Sequence, residues 1–578
     1  MKKILLALSF TVIVCIQMNA QCPPSTSTID LDIANVRAQL HTGGDMWWDL
    51  IGNAMYEVPK GSGKTSLFAG GIWIGGKDGT GNLRVAAQTY RQTGNDFWPG
   101  PLDTINAMVN PVVCSQYDRF WKVNKQDVLD FINSSAAPTA DMSSWPGNGS
   151  AFNGHAHYLA PFEDVNNDGH YNVADGDYPK FDGINGSFTC HGSLHGDQSI
   201  WWVFNDVGNY HTETGSIFSI GLEIQCQAFA FNSSNLDIAN STFYEYKIIN
   251  RSYLTLHDTY FGCWTDVDVG NYLDDYVGCD VGRNMAYAYN GDNDDDGSYG
   301  YGLYPPAMGI DIFNGPFADA GDGIDNNRNG VIDEAGEQCL MSKFVYYDNS
   351  FTNYGNPYQA QHYYDYMRGI WKDGRLLTYG GTGYNSTGTP CSFMFPDNSD
   401  TMHWGTAGVD PGYNWSEINS TPGQANVAGD RRFLQSSGKF TMLPGAVNYV
   451  NIGAIWARDS AGGPFYSRNA LFRADDLIQN LADNCYDLNL VGIQSVEFEK
   501  MLVYPNPAHN SITLELPYTN GNKYSVKIYN SIGKLVKISN ESILRSLRID
   551  ISDLAAGIYV YNISSDKGNS SAGKFIKQ

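Results

Sequence analysis

Alternation of apolar and polar positions marks much of this chain as strand. Leu222, Ile224 and Cys226 alternate with Glu223, Gln225 and Gln227, and Tyr244, Tyr246 and Ile248 alternate with Glu245 and Lys247. This is the two-residue period of a half-buried strand. Two such runs in succession predict a sheet with one face on a core and the other in water. Residues 68–75 and 83–90 read as further strands. Helical spacing is rarer: it predicts a short helix over 126–133 with Asn124 as its cap, a brief one through Tyr363, Met367 and Ile370, and a clearer one through Leu471, Ala474, Ile478 and Leu481. The Ser/Pro/Gly-rich stretch 134–150 reads as a linker or long loop.

The last segment alternates most regularly. Ile512, Leu514 and Leu516 fall on one side with Thr513 and Glu515 on the other, strand-like runs follow at 524–529 and 553–562, and Asn530 to Lys534 reads as a hairpin turn with Gly533 free to take positive φ. A small antiparallel β-sandwich of roughly 80 residues is just large enough to sustain its own core. The opening Tyr504-Pro-Asn-Pro507, the Ile532-Gly-Lys534 turn, the Leu554-x-x-Gly-Ile-Tyr559 strand and the basic end at Lys574 and Lys577 occur in order. In these motifs the stretch from Val503 to Gln578 resembles the type A sorting domain of the type IX secretion system of Bacteroidota. The resemblance implies export across the outer membrane, with the type IX machinery as partner and the cell surface or the medium as destination.

The other end agrees with export. Lys2 and Lys3 precede an apolar run over 4–16 and then Asn19-Ala-Gln21, a pattern that predicts a secretory signal peptide at 1–20. Later in the sequence no apolar run reaches the length of a membrane-spanning helix. The fold class expected is mainly β and multi-domain: an N-terminal β-rich region at 21–150, a main β-rich, sandwich-like passenger with a few short helices at 151–490, and the small C-terminal sorting sandwich at 496–578. Sixty-two glycines and thirty-seven tyrosines against thirty-six Lys plus Arg fit many short strands joined by turns. A formal net charge of −25 argues against nucleic acid as a partner and suits a chain that gathers divalent cations. The cysteines lack the Cys-x-x-Cys spacing of zinc or redox sites; the periplasm permits disulfides, and spacing leaves their pairing open.

Chemistry concentrates in loops rich in Asp, Asn and Gly. In the run 164–175, Asp164, Asn166, Asp168, Asn172 and Asp175 fall at positions 1, 3, 5, 9 and 12, His170 offers its carbonyl at position 7, and Gly169 stands at position 6 where the chain must turn sharply. This is the EF-hand spacing and resembles the calcium loops of dockerins. A second loop puts Asp325, Asn327, Asn329 and Asp333 at positions 1, 3, 5 and 9 and resembles thrombospondin type 3 calcium repeats. Its position 12 is Gly336, so a closing carboxylate must come from Glu334 or elsewhere. A third, 292–297, starts the same way but has Leu303 at position 12. A hard divalent ion wants six to eight oxygens, which short acidic and amide side chains on a tight loop supply. The expected cofactor is structural calcium.

Other candidates compete. Asp266, Asp268, Asp274, Asp275 and Asp280 surround a Gly/Tyr-rich turn and offer the paired carboxylates of a glycosidase or another cation site. His155, His157, His191 and His195 could supply zinc ligands, although Gly192 and Gly196 argue against a helix presenting the last two. Trp47, Trp48, Trp201, Trp202, Trp404 and Trp415 either stack on sugars or fill a β core. Gly61-Ser-Gly-Lys-Thr65 lacks the first glycine of a phosphate loop and reads as a turn. The passenger from Ala151 to Asp483, with motifs such as Asp430-Arg-Arg-Phe-Leu434, resembles large secreted Bacteroidota proteins, which implies surface or extracellular use and no reaction. Two function classes follow: a non-enzymatic exported protein with calcium-stabilised β domains for adhesion, matrix or glycan binding, or a secreted hydrolase of polysaccharide or peptide.

Overall fold

The strands predicted ahead of the C-terminal segment assemble into two antiparallel sheets around one core. In this computed structural model residues 21–92, 94–185, 188–192, 194–385, 387–488, 502–515, 524–530, 534–541, 546–565 and 570–578 are described. The expected signal peptide, Leu516 and Gly533 lie outside them. The chain divides into two units, Met1–Asp487 and Leu488–Gln578.

In the first unit the larger sheet has nine strands. Asp275–Asp280, Met285–Asn290, Ala307–Asn314, Val447–Ala457, Ser241–Asn250, Leu222–Ala230 and Gln198–Asn205 lie side by side, and the short strands Trp98–Pro99 and Trp121–Asn124 both pair with the last of these. The smaller sheet runs Met341–Tyr347, Arg431–Met442, Leu256–Val267, Ala69–Asp78, Leu83–Ala87. Tyr246 of the larger sheet meets Phe261 of the smaller at 6.1 Å between ring centroids, and both belong to one continuous core. The segments 21–150 and 151–487 are therefore interwoven: Ala69–Asp78 pairs with Leu256–Val267, and Trp121–Asn124 with Gln198–Asn205. Residue 150 is not a structural boundary.

The expected wet face is a correction. Glu223, Gln225 and Gln227 point away from the inter-sheet core yet are buried, because other segments cover that face. Burial of such groups requires partners. Glu223 has them: the Arg251 guanidinium at 2.9 Å, the Leu102 backbone N–H at 3.0 Å and the Gln225 amide at 2.8 Å. The helix Pro464–Asp483 lies over the larger sheet and buries Leu471, Ala474, Ile478 and Leu481, as their spacing predicts. Helix Ala360–Met367 covers the smaller sheet. Helix Lys125–Ile132 begins after Asn124, whose side chain donates to Asp127 rather than accepting from the helix N-terminus. The stretch 134–150 is a second correction. It is packed rather than a linker, because Met142 and Trp145 are buried apolar anchors and the Trp145 indole donates to Pro161 O.

A disulfide joins Cys22 to Cys114, and Cys485 is also disulfide-bonded. In the second unit, the three-stranded sheet Leu502–Tyr504, Ser511–Glu515, Ser546–Asp550 and the four-stranded sheet built on Tyr524–Asn530 and Gly557–Ser565 enclose Ile512, Leu514, Val526, Ile528 and Phe575. The alternation of Ile512 and Leu514 with Thr513 is what turns them onto that core.

Candidate functional site

The loops at Asp164 and Asp325 fold alike over their first seven positions, with the same pattern of backbone N–H groups donating to side-chain oxygens. In the first, Asp164 accepts the backbone N–H of Asp168 (3.2 Å) and of Gly169 (2.7 Å), Asn166 Oδ1 accepts that of Asp168 (3.0 Å), and Asp168 accepts that of His170 (2.8 Å). In the second, Asp325 accepts the N–H of Asn329 (3.1 Å) and of Gly330 (2.8 Å), Asn327 Oδ1 that of Asn329 (3.1 Å), and Asn329 Oδ1 that of Val331 (2.8 Å). Both take left-handed backbone at position 4, Asn167 at φ 58° and Arg328 at φ 57°, and at position 6, Gly169 at 81° and Gly330 at 91°. A side chain at position 6 would meet the usual left-handed penalty, so glycine is the fitting residue.

They close differently. Asn172 donates to Asp175 at 2.6 Å in the first loop, and buried Asp177, two residues beyond the predicted run, accepts the N–H groups of Val165 and Asn172 to pin its two ends. In the second, Glu334 Oε1 takes the side-chain amides of Asn327 (2.6 Å) and Asn329 (2.5 Å), while its Oε2 is enclosed with no hydrogen-bond partner. Those amide hydrogen bonds hold the Glu334 carboxyl below its ordinary range. Asp333 faces away and accepts the Gly323 N–H. Glu334 is thus the carboxylate that meets positions 3 and 5, and its orphaned oxygen fits a cation as partner. Each loop is tied to the sandwich. His157 Nε2 contacts Gly169 O at 2.9 Å, and Arg328 donates to the carbonyls of Met341 and Val281. The run at Asp292 does not repeat the pattern: its fourth residue, Asp295, is buried and accepts the Asn271 and Tyr301 N–H groups.

The acidic set 266–280 divides. Asp275 and Asp280 stand at opposite ends of one strand, about 16 Å apart at ordinary strand rise. Asp280 is paired with Arg283 at 2.7 Å. Asp266 and Asp268, at the end of Leu256–Val267, meet Asp430, which precedes Arg431–Met442; one ligand oxygen of each lies within 4.8 Å of the others. Among the described residues this is the one such grouping of three or more His, Cys, Asp or Glu side chains. Arg432 bridges Asp430 (3.1 Å) and Asp266 (3.5 Å), and Tyr90 donates to Asp266 at 2.5 Å. Burial pushes Asp266 up to about 6 and, with Asp266 and Asp430 adding repulsion, Asp268 well above the usual carboxylate range. Asp430, Arg432 and Tyr90 escaped sequence reasoning because pairing of distant strands brings them together.

The remaining candidates resolve into packing. Trp47, Trp48, Trp201, Trp202 and Trp415 are core residues, and Trp404 alone of the six is exposed. His195 packs on Phe229 and Tyr486, where burial lowers it to about 3, whereas His155 packs on Tyr117. The His191 side chain lies outside the described positions. Residues 61–64 lie in the turn between strands Tyr56–Glu57 and Thr65–Leu67, with Glu57 accepting the Gly63 N–H.

No curated protein matches the chain. Among solved structures it is similar to a DUF3244 family protein with an immunoglobulin-like β-sandwich fold from Bacteroides vulgatus, at 17% identity over 14% of this chain and 84% of that one, with a TM-score of 0.12. It is also similar to a polysaccharide lyase, at 8% identity over 62% of this chain and 34% of that one, with a TM-score of 0.18. The chain therefore spans about a third of the lyase's length. Residues 502–578 match the secretion system C-terminal sorting domain family. Among the described residues no helix is long and apolar enough to cross a membrane. The C-terminal unit is a type IX secretion sorting domain, and the chain it carries is exported to the outer cell surface or secreted.

Proposed function

We propose that the chain, led by a signal peptide at 1–20, is a non-enzymatic exported protein whose passenger is stabilised by structural calcium in the loops at Asp164 and Asp325 and serves adhesion, matrix or glycan binding. The observation that carries the calcium reading is the shared hydrogen-bond pattern of the two loops, each presenting carboxylate and amide oxygens at positions 1, 3 and 5. A loop of this kind repels itself until a cation neutralises it, so binding adds to folding stability.

A cavity of about 230 Å³ supports the glycan part. Tyr379, Tyr413, Asp397, Asp400, His403 and Asn414 are among its lining residues, a mixture of aromatic faces and polar groups that suits a saccharide. Phe395, Asp397, His403 and Ala407, in and beside that wall, all hold left-handed backbone, and such strain gathers at binding sites. Of the carboxylates of the hydrolase alternative, Asp266, Asp275 and Asp280 are buried and Asp268 and Asp274 half-buried, and Asp266 and Asp280 are paired with arginines.

The test is metal analysis of the purified mature protein with melts in calcium and in chelator. Two or more bound calcium ions and a lower melting temperature in chelator are expected. An unchanged melt together with no bound calcium would sink the reading.

A further inference from the structure

We propose that Asp266, Asp268 and Asp430 form a separate cation site at one end of the smaller sheet, built for a hard divalent ion of the calcium class. It is independent of the two loops and goes beyond the reading above.

Register places the site. Asp266 pairs with Arg432 and Val267 with Arg431 across adjacent antiparallel strands, so the chain continues to Asp268 on one side and Asp430 on the other, face to face. The three carboxylates approach within 4.8 Å, and the guanidinium of Arg432 is bonded to Asp266 and Asp430. Three negative charges against one positive leave two uncompensated in a largely water-excluded place, which is costly unless a cation or protons enter.

Unpartnered oxygens point to the cation. Asp266 is 3% exposed; its Oδ2 takes Tyr90 and Arg432, and its Oδ1 is enclosed with no hydrogen-bond donor. Asp275, fully buried, accepts the N–H of Val269, the residue after Asp268, on Oδ2, and its Oδ1 is likewise without a donor. Within the cluster itself, the deeply buried Asp266 thus carries an enclosed oxygen with no donor, and Asp275 stands outside the three carboxylates that converge. All donors are hard oxygens, with no imidazole or thiolate in the set, which selects calcium or magnesium over zinc or copper. Asp268 and Asp430 are partly rather than fully buried, so an ion can enter without unfolding.

The experiment counts calcium per chain in four proteins by elemental analysis after gel filtration: the wild type, Asp164→Asn/Asp325→Asn, and that double variant with either Asp268→Asn or Asp430→Asn added, each checked by circular dichroism. The double variant is expected to retain one equivalent, and each triple variant to lose it. A folded double variant with no calcium, or folded triple variants that keep the equivalent, would overturn the proposal. Asp430→Asn is the safeguard should Asp268→Asn fail to fold. Should the wild type bind one equivalent that survives the loop substitutions and is lost with Asp268→Asn, this site stands and the loop reading falls.

Discussion

The two Asp/Asn loops and the Asp266, Asp268, Asp430 cluster gather carboxylates in contrasting ways. In each loop the converging oxygens come from one short run of chain, and the backbone itself, through left-handed residues at positions 4 and 6, aims them. In the cluster two carboxylates come from one strand end, the third from a strand far along the chain, and sheet register aims them. A local site can open without disturbing the fold, whereas a site made by register exists only when the sandwich does. Loss of cation from the loops should therefore loosen surface segments, and loss from the cluster should weaken the core.

The largest effect expected is that of chelation. At calcium 100-fold above each dissociation constant, each loop gains about 2.7 kcal/mol, so removing the ion from both costs about 5 kcal/mol and lowers the melting temperature by several degrees. Hydrogen exchange in chelator should show faster exchange first at Asp168, Gly169, Asn329 and Gly330, whose N–H groups the loop carboxylates accept. Uniform loss of protection across both sheets would break the distinction between local and register-built sites.

Smaller by about half is the effect of one position-1 substitution. Asp164→Ala or Asp325→Ala removes the acceptor of two backbone N–H groups and the first ligand of one loop, and is expected to cost about 2 to 3 kcal/mol in calcium. In chelator the same variant should lose much less relative to wild type, since the ion is already gone. Equal losses in both conditions, read from thermal melts, would make the loops ordinary hydrogen-bonded turns.

What could be read beforehand follows the same division. The tail was legible because its alternation and turn motifs are local, and so were the loops, since position within a dozen residues decides their geometry. Asp177 was missed although it pins the first loop, because it lies beyond the twelve-residue run. Glu334 was legible only as one option for closing the second loop; the contacts with Asn327 and Asn329 single it out. Alternation at 222–227 gave the strand and its inward face correctly, but period two cannot say what covers the outer face. Burial of Glu223 depends on Arg251 and Leu102, brought there by tertiary folding. Asp430 and Arg432 are invisible as site residues until strand pairing is known.

A third acidic grouping sharpens the contrast because no cation is needed to explain it. Asp311, on a central strand, and Asp475, on the helix Pro464–Asp483, are both buried; Arg283, Asp280 and Asp476 are the charged groups around them. Burial raises Asp475 to about 7 and Asp311 well above its ordinary value, with repulsion from Asp475 adding to the latter. In the unfolded chain both ionise near 3.8. The native state thus holds protons more tightly. The stability this confers is full below about pH 4 and is lost as pH rises toward 7. Asp475→Asn removes the need for one proton, so it is expected to raise the melting temperature at pH 8 and to change it little at pH 4.5. The same gain at both pH values would show that packing, not ionisation, governs the pair.

The smallest effect expected comes from Glu334→Gln. The substitution keeps the length of the side chain and an oxygen for the Asn327 and Asn329 amides, and removes only the charge that closes the second loop. Calcium affinity of that loop should fall about tenfold, equivalent to about 1.4 kcal/mol, with the melt in chelator unchanged. Asp175→Asn should do the same to the first loop, because Asp175 is the carboxylate that Asn172 meets there. Titrations of the two variants by calorimetry should each show one loop site weakened and the other loop site intact. If Glu334→Gln leaves both sites intact while Asp333→Asn weakens one, the second loop closes through position 9 after all, and Glu334 serves only as an acceptor for the two amides.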